Sequence, residues 1–131
     1  MSGLHFELVS PAKLLFSGAV DAVQIPGTEG DMGIYPGHAP VLSTLRPGVV
    51  VIERVSAQPE RIFVRGGFAE VNPQGLTVLA EVAIPLAELD AAAIAQQVKN
   101  AEEDVADAKD DESRRRATEN LDHLKALAAA L

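Results

Sequence analysis

All ten glycines and all eight prolines of this 131-residue chain lie at or before Pro85, and residues 86–131 contain neither. A helix interior loses about 1 kcal/mol to a glycine and about 3 kcal/mol to a proline relative to alanine, whereas tight turns between short strands need both. The chain therefore divides by residue type into a turn-rich part, residues 1–85, and a helix-forming part, residues 86–131. This predicts an α+β protein: an N-terminal antiparallel β-sandwich, then a C-terminal antiparallel α-helical hairpin.

Within the first part, short apolar runs alternate with turn residues. Leu4, Phe6 and Leu8 alternate with His5 and Glu7, the period of a half-buried strand. Pro47-Gly48 precedes Val49-Val50-Val51-Ile52, Asn72-Pro73-Gln74-Gly75 precedes the run 76–82, and Arg61–Arg65 ends at Gly66-Gly67. Several such strands in about 85 residues pack best as two facing antiparallel sheets. Only four Phe and one Tyr are present, so the core rests on Val, Leu and Ile.

From Pro85 onward the residues are mainly Ala, Leu, Glu, Asp, Lys and Arg, and Pro85 suits a first helical turn. Ala87, Ala91, Ile94, Val98, Ala101, Val105 and Ala108 recur at spacings of four and three, as do Ala117, Leu121, Leu124, Ala128 and Leu131. Each stretch thus presents a narrow seam, with the break expected near residues 109–113. An alanine seam buries little area, so the hairpin is expected to be marginal by itself. Residues 1–85 carry 5 basic and 8 acidic side chains and residues 86–131 carry 6 and 11, giving nets of −3 and −5. Arg114, Arg115 and Arg116 each follow an acid by four residues, which reads either as three exposed intrahelical pairs with Asp110, Asp111 and Glu112 or as a basic patch for an acidic partner. Since the break holds no Gly or Pro, the hairpin is expected to be able to open into an extended form.

Chemistry-bearing patterns are few. There is no cysteine, so disulfides and thiolate chemistry are excluded, and with no apolar leader visible a reducing compartment is expected. His5, His38 and His123 are scattered without ligand spacing, so no metal and no cofactor are expected. Gly27, Gly30 and Gly33 mimic a phosphate loop, but Glu29 and Asp31 would repel phosphate and no Lys-Ser/Thr ending follows, so these glycines are read as turn residues. The net charge of −8 disfavours nucleic acid and anionic lipid. What remains is Gly30 through Pro40, with three glycines, two further prolines at positions 36 and 40 within it, one acid and one histidine. It reads as a constrained recognition loop with His38 exposed.

Phe6-Glu7-Leu8-Val9-Ser10, Phe16-Ser17-Gly18, Gly27 through Pro40, Leu45-Arg46-Pro47-Gly48 and Gly66-Gly67-Phe68-Ala69-Glu70-Val71 occur in an order and spacing similar to those of the epsilon subunits of bacterial F-type ATP synthases. The resemblance implies a sandwich of about ten strands and a two-helix tail. It further implies a non-catalytic rotor subunit, peripheral to the membrane, that joins the gamma subunit to the c-ring, with Glu29, Gly30, Asp31 and Gly33 toward the c-ring loops and Ser10, His38 and Ser43 toward gamma. Replacing Asp31 by Arg is then expected to weaken coupling. The tail is implied to reach the alpha/beta catalytic head and restrain ATP hydrolysis, with Arg114, Arg115, Arg116 and Lys125 as a basic patch.

The tail departs from the nucleotide-binding pattern of the family, Leu-Asp-x-x-Arg-Ala. Leu89-Asp90 fits, but Ala93 stands in place of the arginine and Ile94 in place of the alanine, so nucleotide binding is not expected. The alternative to a rotor subunit is a free-standing sandwich module that binds a small ligand or peptide under a helical lid. Because Met1-Ser2-Gly3 leads almost directly into a strand, an Arg-rich transit peptide is not expected, and the cytoplasmic face of a bacterial membrane is the expected location.

Overall fold

The computed structural model describes residues 3–55 and 57–131. Met1 and Ser2, on which the expectation about the chain start partly falls, lie outside the described residues. Ten strands precede two helices: β1 (Leu4–Val9), β2 (Leu14–Val20), β3 (Ala22–Gly27), β4 (Gly30–Ile34), β5 (Val41–Thr44), β6 (Gly48–Glu53), β7 (Glu60–Arg65), β8 (Phe68–Asn72), β9 (Gly75–Leu79), β10 (Val82–Pro85), α1 (Ala91–Asp107) and α2 (Asp111–Ala130). The chain separates into two compact units, Met1–Ala87 and Glu88–Leu131.

The first unit is a sandwich of two five-stranded sheets. The first sheet runs β2-β1-β9-β8-β5 and the second β10-β7-β6-β3-β4. Pairing is antiparallel with one departure: β1 runs parallel to β9, with Leu8 opposite Val78. This parallel pair joins the first strand to the ninth, so the first sheet is completed only when nearly all of the sandwich is present. The predicted alternation in β1 is seen: Leu4, Phe6 and Leu8 are buried, while His5 is exposed. Val23, Ile25, Ile34, Val50, Ile52, Leu76 and Val78 join them in one core, with Phe6 and Phe16 rings 5.6 Å apart. At about 25 cal/mol per Å² of apolar surface, such aliphatic burial is the main favourable term holding the sheets face to face.

Three sequence expectations change here. Residues 30–34 are not loop but the edge strand β4, paired along β3 from Gly27↔Gly30 to Val23↔Ile34. Its two glycines removed the side-chain alternation by which a strand is recognised, and both prolines of the stretch lie beyond the strand. Pro85 does not open a helix; it is the last residue of β10, opposite Ile62. A 3₁₀ turn over Leu86–Glu88 follows, and α1 begins at Ala91 because Asp90 caps it, accepting the backbone N–H groups of Ala92 at 2.9 Å and Ala93 at 3.3 Å. Ala87 therefore lies outside the helix and Ala91 is exposed, so neither belongs to the seam.

In the second unit, α1 and α2 pack on each other through Ile94 and Ala101 on one helix and Leu121, Leu124 and Leu127 on the other. Leu127 is buried where the heptad had placed Ala128, which is exposed. The link is short, Ala108 to Asp110, and Asp110 caps α2. Among the described residues, no helix is long and apolar enough to cross a membrane.

Candidate functional site

The β3–β4 hairpin turns through Thr28 and Glu29, with Gly27 and Gly30 paired below them. Gly30 has φ +137°, a conformation that costs an ordinary side chain strain and a glycine little. Glu29 stands exposed at the tip, and Gly30, Asp31 and Gly33 follow on the edge strand β4. Asp31 projects beside the turn, and Arg46 reaches it. The guanidinium donates from Nη2 to Asp31 Oδ1 at 2.5 Å and from Nη1 to the Gly27 carbonyl at 2.6 Å. Glu29 has no ion pair among the described residues. Of the two acids expected at a docking surface, one is thus already engaged inside the chain.

The tip is also tied across the sandwich. Thr28 N–H donates to the Thr44 carbonyl at 3.0 Å, their hydroxyls meet at 2.9 Å, and Arg46 N–H donates to the Pro26 carbonyl at 2.9 Å. Thr44 ends β5 in the first sheet, whereas Pro26 and Thr28 belong to the β3–β4 hairpin of the second. Gly48 makes the return possible, since a Cβ there would lie 2.7 Å from Pro26 Cβ. Segment 44–46, which crosses from one sheet to the other, therefore fastens the tip to both.

Thr44 also closes a row across the first sheet. The register places Leu14 opposite Val9, Val9 opposite Leu79, Leu79 opposite Phe68, and Phe68 opposite Thr44. These residues alternate with the buried Leu8, Val78 and Ala69, so they stand on the outer face. Leu14 is 57 % exposed, Leu79 39 % and Phe68 38 %; Leu42, two residues before Thr44 on β5 and opposite Glu70, is 69 % exposed. Val9, Phe68 and Leu79 line a shallow apolar depression of about 390 Å³ that Ser10 borders. A contiguous apolar face of this kind on an otherwise polar surface is the form of a protein contact. The sequence did not single out Leu14, Leu42 or Leu79 as contact residues; Leu14 joins the face only through the parallel β1–β9 register, which a linear reading does not contain.

The three residues expected on the gamma side are not together. Ser10 lies in the β1–β2 turn, its hydroxyl donating to the Lys13 carbonyl at 3.4 Å. Ser43 is on the inward row opposite Ala69 and donates to the Thr44 carbonyl at 2.9 Å, so its neighbours Leu42 and Thr44 hold the outer face. His38 is in the 35–40 connection near the other end of β1, about 16 Å away by strand rise. There its N–H donates to the Tyr35 carbonyl at 3.1 Å, and its Nδ1 sits 2.7 Å from the Ala39 carbonyl oxygen. It borders a small cleft with His5, Pro36, Asn72 and Gly75.

The basic cluster of the tail is partly occupied as well. The expected i,i+4 pairs do not form. Arg114 contacts Asp111 at 3.5 Å and the Ala108 carbonyl at 3.2 Å, Arg115 contacts Glu119 at 3.5 Å, and Arg116 and Lys125 are exposed without an ion pair among the described residues. Asp110 caps the helix, accepting the Ser113 N–H at 2.7 Å, while Arg114 turns to Asp111. That backbone hydrogen bond, together with the Ser113 side chain, holds the Asp110 carboxyl below its ordinary range. Ala93, at the position where the nucleotide-binding pattern has arginine, presents only a methyl group on an exposed turn of α1. Among the described residues no polar side chain is fully buried and no cluster of metal-ligating groups occurs.

Comparison with known proteins agrees with this architecture. Residues 3–86 match the family described as ATP synthase, Delta/Epsilon chain, beta-sandwich domain. The chain is 64 % identical over 124 residues to the ATP synthase epsilon chain of Parvibaculum lavamentivorans, covering 95 % of this chain and 94 % of that one. It is 47 % identical over 126 residues to the epsilon chain of Mesorhizobium japonicum, covering 96 % and 93 %. Among solved structures, a chain of the Euglena gracilis mitochondrial ATP synthase OSCP/F1/c-ring assembly superposes with a TM-score of 0.84 at 26 % identity, covering 99 % of this chain and 82 % of that one. A chain of the Tetrahymena thermophila mitochondrial central stalk and c-ring has the same fold, with a TM-score of 0.63 at 12 % identity and coverage of 98 % and 99 %. A family model that matches the whole sandwich, together with relatives that align along nearly the entire chain, identifies this chain as a member of the ATP synthase epsilon chain family.

Proposed function

We propose that the chain joins two rotor elements of an F-type ATP synthase on the cytoplasmic face of a bacterial membrane. The β3–β4 tip (Glu29, Gly30, Asp31 and Gly33) meets the polar loops of the c-ring, and the outer face of the first sheet, with Ser10 at its margin, meets gamma. The chain is a non-catalytic stalk subunit of that complex. Thr44 is the observation that carries the assignment of contacts: it bonds the hairpin tip and ends the apolar row. A load applied at the tip therefore passes into the first sheet through hydrogen bonds rather than through a flexible connection. Such a pre-stiffened surface also loses less entropy on docking than a mobile one.

His38 and Ser43 belong to this reading in different ways. Ser43 orients the β5 end beneath Leu42 and Thr44, while His38 extends the gamma contact along the 35–40 connection. The tail restrains hydrolysis in the alpha/beta head through Arg116 and Lys125, with Arg114 and Arg115 released from Asp111 and Glu119 when α2 engages an acidic surface. No nucleotide is required for this step.

The test of the tip is Glu29→Lys, since Glu29 has no ion pair among the described residues. ATP-driven proton pumping in inverted membrane vesicles is expected to fall while the complex still assembles. Full coupled pumping in the variant would refute the c-ring contact.

A further inference from the structure

The two acids of the tip differ in what holds them. Asp31 is bound by Arg46, and the same guanidinium binds the Gly27 carbonyl, so one side chain bridges both arms of the hairpin beside its turn. Arg46 is in turn fixed by its own backbone, whose N–H donates to Pro26, and by its neighbour Leu45, whose N–H donates to the Gly67 carbonyl at 3.1 Å. Leu45 is buried and makes an isolated bridge to Gly27. The guanidinium is therefore carried on a rigid segment and presents two donors in the planar fork that a carboxylate and a carbonyl accept together.

From this we infer that Arg46 is the positioning residue of the tip. It sets the orientation of the Thr28-Glu29 turn and neutralises Asp31, leaving Glu29 as the charge offered to the partner. The inference rests on the proposed tip contact and deepens it: the partner surface recognises one carboxylate held at a fixed place, not a pair of acids. The Thr28–Thr44 hydrogen bonds hold one side of the turn, and the Arg46 guanidinium is the side-chain restraint on the β4 side. β4 is bonded on one side only, and beyond the Gly27–Gly30 pair no strand continues. Arg46→Lys would keep the charge but not the planar fork, because an ammonium cannot hold both acceptors in that geometry.

Two measurements test this on the full chain and the assembled complex. In the free full-length protein, Arg46→Met is expected to raise amide hydrogen exchange across residues 28–32 at least tenfold while exchange in β1 and β9 stays as it was. Arg46→Lys is expected to fall between the two. In the complex, Arg46→Met is expected to lower coupled proton pumping, and Arg46→Lys, which keeps the charge beside Asp31, to lower it less. Unchanged exchange at 28–32 in Arg46→Met would overturn the positioning role. Faster exchange combined with full pumping in Arg46→Met would instead overturn the tip contact on which the inference rests.

Discussion

Phe68 on β8 stands directly opposite Leu79 on β9, both on the outer face of the first sheet, each more than a third exposed in the free chain. A cross-strand aromatic–aliphatic pair contributes a fraction of a kcal/mol to sheet stability, but its exposed area is far more valuable when a partner covers it. Phe68→Glu is therefore expected to leave the unfolding midpoint nearly unchanged and to weaken association with gamma about tenfold or more, as loss of a central anchor does. Copurification and titration calorimetry with gamma check this, and undiminished binding would remove the apolar row from the interface.

Gly67 precedes that pair and is, with Gly75, among the most tightly constrained of the turn glycines. Its φ is +94°, and a Cβ would lie 1.8 Å from the Leu79 carbonyl oxygen, inside any permissible contact. Gly37 also has a positive φ, +83°, but a Cβ there meets nothing within 4 Å. Gly67→Ala is expected to cost about 2–4 kcal/mol through strain plus displacement of β9, and Gly37→Ala about 1 kcal/mol through the left-handed backbone alone. Urea unfolding followed by the single tyrosine, Tyr35, separates the two. Equal midpoints would mean that the β8–β9 crossing yields more easily than its geometry implies.

These sites mark how far the sequence can be read. Alternation in β1 and the Asn72–Gly75 turn are local, and both are seen: Asn72 Oδ1 accepts the Gln74 and Gly75 N–H groups at 2.9 and 3.2 Å. The end of the 61–65 strand at Gly66-Gly67 was legible for the same reason. The strand β4 was not legible because Gly30 and Gly33 have no side chains to alternate. Arg46 was not legible as a clamp because its partners are 15 and 19 residues away, and nothing in an isolated arginine states which carbonyl it will meet. Leu14 and Val9 join Leu79 and Phe68 in one surface only through a sheet order that brings β9 between β1 and β8.

The cap of α2 gives a prediction in pH. Asp110 accepts the Ser113 N–H as a carboxylate, so its folded-state pKa lies below the ordinary value. A carboxyl lowered in this way stabilises the folded hairpin fully above the ordinary aspartate range and loses that contribution as pH falls through the lowered value. The unfolded state takes up the proton first, so acid favours opening. Helicity of the tail is expected to drop below about pH 4 in the natural chain. The drop is expected to be shallower in Asp110→Asn, which retains a capping oxygen but no titrating group. Far-UV circular dichroism against pH measures both, and superimposable acid limbs would rule out Asp110 as the group responsible.

The tail itself is tested by removal, and the place of the cut matters. Pro85 pairs with Ile62 at the end of β10, and Leu86–Glu88 form a separate 3₁₀ turn, so a chain ending at Ala87 keeps every strand of the sandwich. A cut before β10 would instead expose the edge of β7 and confuse loss of control with loss of the fold. Arg114 and Arg115 are engaged with their own helix, whereas Arg116 and Lys125 are not paired among the described residues. If α2 restrains the head through charge, ATP hydrolysis by the assembled complex is expected to rise several-fold on truncation after Ala87. Arg116→Glu with Lys125→Glu should reproduce most of that rise at low salt and less of it as salt screens the contact. Hydrolysis indifferent to truncation would confine the subunit to coupling and assembly. A rise on truncation without any response to the two charge reversals would assign the restraint to the bulk of the helices rather than to their basic face.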